Sequence, residues 1–110
     1  MSKQKQFQTV TAIIYNKRGR VLSIGKNSYI HSSRLQRHHA TKTGNPESVY
    51  QHAEIDAINR CQELDKAHKI VVTRHLKNGK PALAKPCAIC ESAIKATPIR
   101  LVQWSVTEEE

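Results

Sequence analysis

Two short motifs supply the side chains of this sequence that are suited to holding a metal ion and moving protons. His52 and Glu54 stand two positions apart near the middle of the chain, and Cys87 and Cys90 form a Cys-x-x-Cys pair near its end. One imidazole and two thiolates provide three ligands for Zn²⁺, and a zinc ion with three protein ligands keeps its fourth tetrahedral position for water. Water bound there gives up its proton most easily to a base beside it. The motifs therefore predict a zinc centre of the catalytic type on His52, Cys87 and Cys90.

The spacing inside each motif indicates how these side chains are presented. On a helix, a residue two positions after His52 points about 200° around the axis, so Glu54 is expected to face the substrate and to act as the general base. Cys87 and Cys90 are three positions apart, which places both sulfurs on one face of a first helical turn, where the helix dipole favours thiolate. Pro86 suits the start of that helix, because the first turn has no use for the N–H that proline lacks.

The hydrophobic pattern predicts the elements that must bring the two motifs together. It indicates strands over 7–15 and 21–24, a helix over 46–64, a buried strand at 70–72, a helix over 87–96 and a last strand over 99–106. Segments 25–45 and 77–85 are predicted to be loops. This order predicts an α/β fold with three α/β/α layers and a minimal mixed sheet of about four strands, in which the strand–helix–strand units are parallel and right-handed. Both motifs then begin helices at the same edge of the sheet.

Composition narrows the class of protein. A chain of 110 residues is expected to form one domain, residues 1–110, with a single core. Its polar first residues and the lack of a long apolar run predict no signal peptide, no membrane span and a cytoplasmic location. Three cysteines, two of them in the Cys-x-x-Cys pair, fit a reducing compartment better than a disulfide framework. The third, Cys61, is expected to be a buried core residue.

The two motifs and the order of elements resemble the zinc-dependent cytidine and deoxycytidylate deaminase superfamily, whose signature is His-x-Glu followed by Pro-Cys-x-x-Cys. The resemblance covers residues 7–106. The motifs read His-Ala-Glu and Pro-Cys-Ala-Ile-Cys, followed by Ala93 and Ile94. They look more like the deoxycytidylate and transfer-RNA adenosine deaminase branches than like the free-nucleoside cytidine deaminases. The resemblance implies zinc on the predicted ligands, and it implies a homo-oligomer because relatives assemble into dimers or larger rings.

The same resemblance implies substrate contacts. It implies that Glu54 shuttles protons during hydrolysis, that Asn27 contacts the sugar, and that the backbone N–H of Ala53 bonds the base. Tyr29 is a candidate for stacking on the base, and packing beneath the long loop fits this residue equally well. Tyr50 is expected in the core or at a sheet edge.

Charge and aromatic content bear on the size of the substrate. The 18 Lys and Arg residues against 9 Asp and Glu give a net charge of +9, which favours phosphate-bearing partners or simply keeps a small protein soluble. One Trp, one Phe and three Tyr leave few stacking platforms for successive bases. Cytosine in a (deoxy)nucleotide is therefore the favoured substrate. A cytosine or adenine in single-stranded DNA or RNA, guided by the basic segment 34–39, is the alternative.

Two interpretations from other classes use the same residues. In a structural zinc module that binds nucleic acid, His38, His39 or Cys61 would provide a fourth ligand and Glu54 would have no role. In a redox protein, the Cys-x-x-Cys pair would be a dithiol at a helix start, which leaves the histidine motif unexplained. A redox dithiol needs no zinc, so metal content separates it from the other interpretations.

Overall fold

A mixed sheet and three α-helices form the protein, which a computed structural model describes over residues 9–28, 31–44, 50–76 and 80–106. The elements are β1 (Thr9–Asn16), β2 (Val21–Lys26), α1 (Arg34–Lys42), α2 (Ala53–Arg60), a 3₁₀ turn (Leu64–Lys66), β3 (Ala67–His75), β4 (Pro81–Ala82), α3 (Ala88–Lys95) and β5 (Leu101–Trp104). β1 lies between β2 and β3 and is antiparallel to both. On its other side β3 pairs with β4 in antiparallel and with β5 in parallel orientation. The predicted α/β class with a small mixed sheet is confirmed.

The buried core lies between the sheet and the helices. β1 and β3 turn alternate residues inward, as strands with one covered face do, and Ile14, Ile70 and Val72 are fully buried. Ile55 of α2 is fully buried in the same apolar cluster. Cys61 also belongs to that cluster, so its predicted place in the core is confirmed.

The three helices contact one another and lie together beside the sheet. α1 contacts α3 and α2, and α2 contacts α3 as well as β1 and β2. The described residues therefore show two of the three layers that the sequence predicts. None of the helices described is long and apolar enough to cross a membrane.

Helix α1 lies inside segment 25–45, so the prediction of a continuous loop there is wrong. Ser33 begins the helix, and its hydroxyl accepts the N–H of Gln36 at 3.1 Å, as serine at an N-cap does. The side chains that α1 buries are Gln36, His39 and Ala40. Because two of these three are polar, the sequence lacks the apolar periodicity from which a helix is predicted.

Helix α2 is shorter than the predicted helix over 46–64, whose first residues lie outside the described part of the chain. Just before α2, the N–H of Gln51 bonds the carbonyl of His31 at 2.9 Å, which ties this segment to the chain ahead of α1. At the other end, Cys61 has extended backbone angles (φ −82°, ψ 110°) and ends the helix. The first turn of α2 therefore falls on the histidine motif.

Strand β2 approaches α2 so closely that only glycine fits near its end. A Cβ on Gly25 would lie 2.2 Å from the backbone nitrogen of Ala57 and 2.5 Å from the backbone oxygen of Ala53. Ser23, two residues earlier, donates its hydroxyl to the carbonyl of Ala57 at 2.8 Å. Gly25 therefore belongs to β2 and not to a loop that begins at residue 25, and this contact fixes the position of α2 on the sheet.

The later strands differ from the prediction in length. β3 extends three residues further at each end than the predicted 70–72, and β5 is shorter than the predicted 99–106. The short β4 lies in the predicted loop 77–85, where its two residues pair with Arg74 and His75. Two residues are too few to produce an alternating pattern, so this strand has no signal in the sequence. The predicted helix over 87–96 is confirmed as α3.

Candidate metal centre

Three side chains from the starts of two helices converge on one point. Nδ1 of His52 lies 3.2 Å from Sγ of Cys90 and 3.5 Å from Sγ of Cys87. The three atoms all lie within 4.8 Å of one another, and they form the one cluster of potential metal ligands among the described residues. The structure thus brings together the three predicted ligands, although 35 positions separate His52 from Cys87 in the sequence. We call this group the metal cluster.

The local structure explains why these side chains point toward each other. His52 is the N-cap of α2 and Cys87 is the N-cap of α3, both have extended backbone angles, and neither side chain caps its own helix. Serine or aspartate at these positions would turn toward the backbone N–H groups of the first turn. Cys90 follows three positions after Cys87, so its sulfur lies on the same face of α3. Two N-caps therefore direct ligands into a shared space.

The donor set and its spacing fit a zinc ion. Zn–N bonds of about 2.0 Å and Zn–S bonds of about 2.3 Å in a tetrahedron imply ligand separations of roughly 3.5–3.8 Å. The nitrogen–sulfur distances of 3.2 and 3.5 Å are close to these values. Because no fourth ligand joins the cluster from the described residues, a bound zinc ion keeps one position for water or substrate.

The two thiols differ in how readily they ionise. The hydrogen bond from the Cys90 thiol, followed by that from His52, lowers the pKa of Cys87 to about 3. The same hydrogen bond to Cys87, together with burial, raises the pKa of Cys90. A hydrogen bond to Cys87 also raises the pKa of His52. A metal that binds here therefore displaces protons from Cys90 and His52.

Glu54 lies beside the metal cluster but is not a member of it. Its side chain is in the first turn of α2 and is 5% exposed, and its carboxylate is not part of the group of ligand atoms. Burial raises its pKa, while hydrogen bonds to the backbone and to the Cys90 thiol act in the opposite direction. A carboxylate whose pKa is raised is a stronger base and accepts a proton more readily.

Two buried polar side chains of α1 form hydrogen bonds with the segments that carry the metal cluster. Gln36 is fully buried, and its Oε1 accepts the backbone N–H of His52 at 3.1 Å. His39 is 3% exposed, and its Nδ1 lies 2.8 Å from the hydroxyl of Ser92 in α3. Helix α1 therefore bonds to both of the helices that carry ligands. The sequence analysis missed this role, although Ser33 and Gln36 form the Ser-x-x-Gln pattern of a capping box, which is a signal for a helix start.

Comparison with known proteins does not assign this chain to a family. No protein-family model matches it, and no curated protein is significantly similar to it. The resemblance to the deaminases therefore rests on the two motifs and the order of elements. The arrangement of the side chains in the structure is the main basis for proposing a function.

The structure gives varied outcomes for the predicted substrate contacts. Oδ1 of Asn27 accepts the N–H of Val10 at 3.0 Å, so this side chain helps to close the end of the β1–β2 hairpin. Ala53 is the first residue of α2 and is 1% exposed, and helix geometry leaves its N–H without a partner inside the helix. Tyr29 lies outside the described residues. Tyr50 is 55% exposed, so its expected place in the core or at a sheet edge is wrong.

The geometry also bears on the structural-zinc interpretation. Of the residues considered as a fourth ligand, His39 bonds Ser92, Cys61 is part of the apolar core and His38 is exposed. None of them joins the metal cluster in the described part of the chain. A closed four-ligand site is therefore not formed by these residues.

Proposed function

We propose that this protein is a zinc-dependent hydrolytic deaminase that converts cytosine to uracil in a (deoxy)nucleotide. The observation that supports the proposal is the three-ligand cluster of His52, Cys87 and Cys90 with the buried carboxyl group of Glu54 beside it. Three ligands suit a catalytic zinc ion, whereas a structural zinc ion takes four. A base outside the ligand set is what proton transfer requires.

Each group has a chemical role in this proposal. A bound zinc ion supplies Lewis acidity, which lowers the pKa of a water molecule at the open position. Glu54 would take one proton of that water and pass it to the ring nitrogen, while the water oxygen adds to the carbon that bears the amine. Glu54 would then move the second proton of the added water to the amine, and the C–N bond breaks to release ammonia. In this proposal the backbone N–H of Ala53, at the start of α2, bonds the base. One water molecule is consumed and one ammonia is released for each base converted.

Partial burial of the site agrees with proton transfer by Glu54. Because its surroundings exclude water, the carboxyl group exchanges protons with the substrate in preference to the bulk solvent. Cys90 and Glu54 are both buried, while Cys87 is exposed. The substrate therefore enters from the side of Cys87 in this proposal.

The test is ammonia release by the purified, zinc-loaded protein. Cytidine, deoxycytidine and their mono- and triphosphates are compared with the corresponding adenine compounds and with a short single-stranded oligonucleotide. Release of ammonia from a cytosine nucleotide, with formation of an equal amount of the uracil product, supports the proposal. A protein that holds zinc and releases no ammonia from any of these compounds contradicts it. The matched control is Cys90→Ala, which lacks a ligand.

A polynucleotide substrate is the second candidate, and one observation favours it. The solvent face of α1 carries basic residues. The buried face of the same helix bonds to the segments that hold the metal cluster. A basic helix of this kind offers more positive charge than a single phosphate group needs.

A further inference from the structure

Helix α1 has one face that packs against the rest of the protein and one face that is exposed to the solvent. The exposed face carries residues at positions i, i+3, i+4, i+7 and i+8, a spacing that places them on one side of a helix. These residues also line an open depression on the surface, and we call them the basic stripe: Arg34, Arg37, His38, Thr41 and Lys42. Three of the five are cationic, namely Arg34, Arg37 and Lys42.

The charges of the basic stripe are not neutralised within the described part of the chain. The ion pair found there joins Arg60 and Asp56, and it does not involve the stripe. Arg37 bonds the hydroxyl of Ser32 at 3.2 Å, which is a neutral partner. The first turn of α1 contains no acidic residue, although the positive end of the helix dipole favours acidic residues there. An anionic ligand would relieve this accumulation of positive charge.

The length of the basic stripe exceeds the size of one phosphate group. From Arg34 to Lys42 the helix rises eight steps of 1.5 Å, or about 12 Å. The cations therefore form a row and not a single pocket. A row of this kind matches a ligand whose negative charges repeat along a chain, as in the backbone of a nucleic acid.

The opposite face of the same helix is bonded to the metal cluster. Gln36 accepts the backbone N–H of the ligand His52, and His39 bonds Ser92, two residues after the ligand Cys90. The basic stripe is on the other face of α1, so a strand that follows it reaches the helices that carry the ligands by passing around α1, whose diameter is about 10 Å. In addition, the exposed ring of Tyr50 lies only two residues before His52 in the chain, and an aromatic face of this kind suits any base.

We infer that the basic stripe of α1 binds the sugar–phosphate backbone of a single-stranded nucleic acid and so directs one of its bases to the metal centre. The inference rests on the proposed function for what then happens to that base. A single strand is favoured over a duplex because a base must leave the stack before an enzyme can act on it. The inference takes up the second candidate of the proposed function, the polynucleotide substrate, in place of the (deoxy)nucleotide, which the scarcity of aromatic residues in the sequence favoured.

The test compares two triple variants that lose the same charge from different places. In the first, Arg34, Arg37 and Lys42 are replaced by Gln; in the control, Lys17, Arg18 and Arg20 of the exposed β1–β2 turn are replaced by Gln. Both are made on a Glu54→Gln background, so that binding is measured without turnover. Binding of a labelled, short single-stranded oligonucleotide is followed between about 50 and 200 mM salt. Zinc content and thermal midpoint show that each variant is folded.

The expected result is a loss confined to the stripe variant. Each phosphate contact of a single strand contributes roughly 0.7 to the steepness of the plot of log affinity against log salt. Removal of three contacts should therefore make that slope less steep by about 2. The control variant should bind with nearly the slope of its parent. Deoxycytidine mono- and triphosphate should compete poorly for the same site.

Two results would overturn the inference. Equal weakening by both triple variants would mean that total charge, and not the basic stripe, attracts the strand. Competition by a free nucleotide as effective as that by the unlabelled oligonucleotide would assign the stripe to a mononucleotide. Strand binding through the stripe by a wild-type protein that releases no ammonia from any substrate would sustain the inference on binding and refute the proposed deaminase.

Discussion

Helices α1 and α2 are similar in length and both adjoin the metal cluster, but they bury different kinds of side chain. α2 packs apolar residues against the sheet, whereas α1 buries an amide and an imidazole that bond to the neighbouring helices. The buried residues are Ala53, Glu54, Ile55, Ala57 and Ile58 in α2, and Gln36, His39 and Ala40 in α1. The difference shows that apolar burial positions the helix that carries the site, while polar contacts connect α1 to that site.

Gly25→Ala disturbs the packing of α2 on β2, and we expect it to have the largest effect on stability. The new Cβ would meet backbone atoms of α2 at 2.2–2.7 Å, and backbone cannot move aside as a flexible side chain can. We expect a loss of more than about 3 kcal/mol in the free energy of unfolding, measured by urea denaturation of the zinc-loaded protein.

Gly19→Ala is the control for this substitution. Gly19 has a left-handed backbone (φ +87°) but nothing lies within 4 Å of its Cβ position. Its replacement should cost about 1–2 kcal/mol. Equal losses for the two variants would mean that the close contact of β2 with α2 does not hold the helix in place.

On the α1 side, Gln36→Leu tests the bond to the metal ligand. Leucine removes the acceptor of the His52 N–H and leaves a partly buried donor without that partner, which costs about 1–3 kcal/mol in stability. Because that bond orients the N-cap residue that carries the imidazole, zinc affinity should fall by about 10–100-fold. The affinity is measured by competition with a chelator.

Gln62→Leu is the matched control, since Gln62 is exposed just after α2. It should change stability by no more than about 0.5 kcal/mol and should leave the zinc affinity unaltered. An unchanged affinity in Gln36→Leu would show that α1 does not position His52.

The smallest expected effect is a pH dependence of the free energy of unfolding, which arises from His39. Burial, followed by the neighbouring charges of His38 and Lys42, lowers the pKa of His39 below its usual value. The unfolded chain then takes up a proton below about pH 6.5 that the folded protein resists, so stability is present above that pH and is lost as the pH falls toward the lowered pKa.

His39→Gln should remove this part of the pH dependence while an amide can still bond Ser92. The measurement is the free energy of unfolding of both proteins on either side of about pH 6.5. The difference between wild type and variant should be more favourable to the wild type at the higher pH. A difference that does not change with pH would mean that folding does not shift the pKa of His39.

The two helices also show how far the sequence predicts this structure. The site was predictable because His52, Glu54, Cys87 and Cys90 are chemically distinctive and their spacing places them at helix starts. α2 and α3 were predictable because their apolar residues recur with helical period. Helix α1 was not predictable, because the side chains that it buries include Gln36 and His39. These two polar residues form hydrogen bonds in the interior, and apolar periodicity does not detect them.

The close packing of β2 against α2 could not be predicted from the sequence either. Gly25 follows a predicted strand and precedes a polar segment, which is typical of a turn. Its actual role depends on the distance between β2 and α2, which the sequence of either element alone does not contain. Tyr50 was misplaced for a related reason: whether its ring is buried depends on the path of the chain before α2, and the structure leaves it 55% exposed.

The central claim is that zinc is held by three side chains and that Glu54 moves protons without holding the metal. It is tested most directly by the zinc content and the ammonia release of Glu54→Gln, measured beside Cys90→Ala. We predict that Glu54→Gln keeps the zinc content of the wild type and loses about 10²–10⁴-fold in turnover, because only proton transfer is removed. Cys90→Ala should lose both zinc and turnover. Loss of zinc from Glu54→Gln, or turnover in it equal to the wild type, would contradict the account.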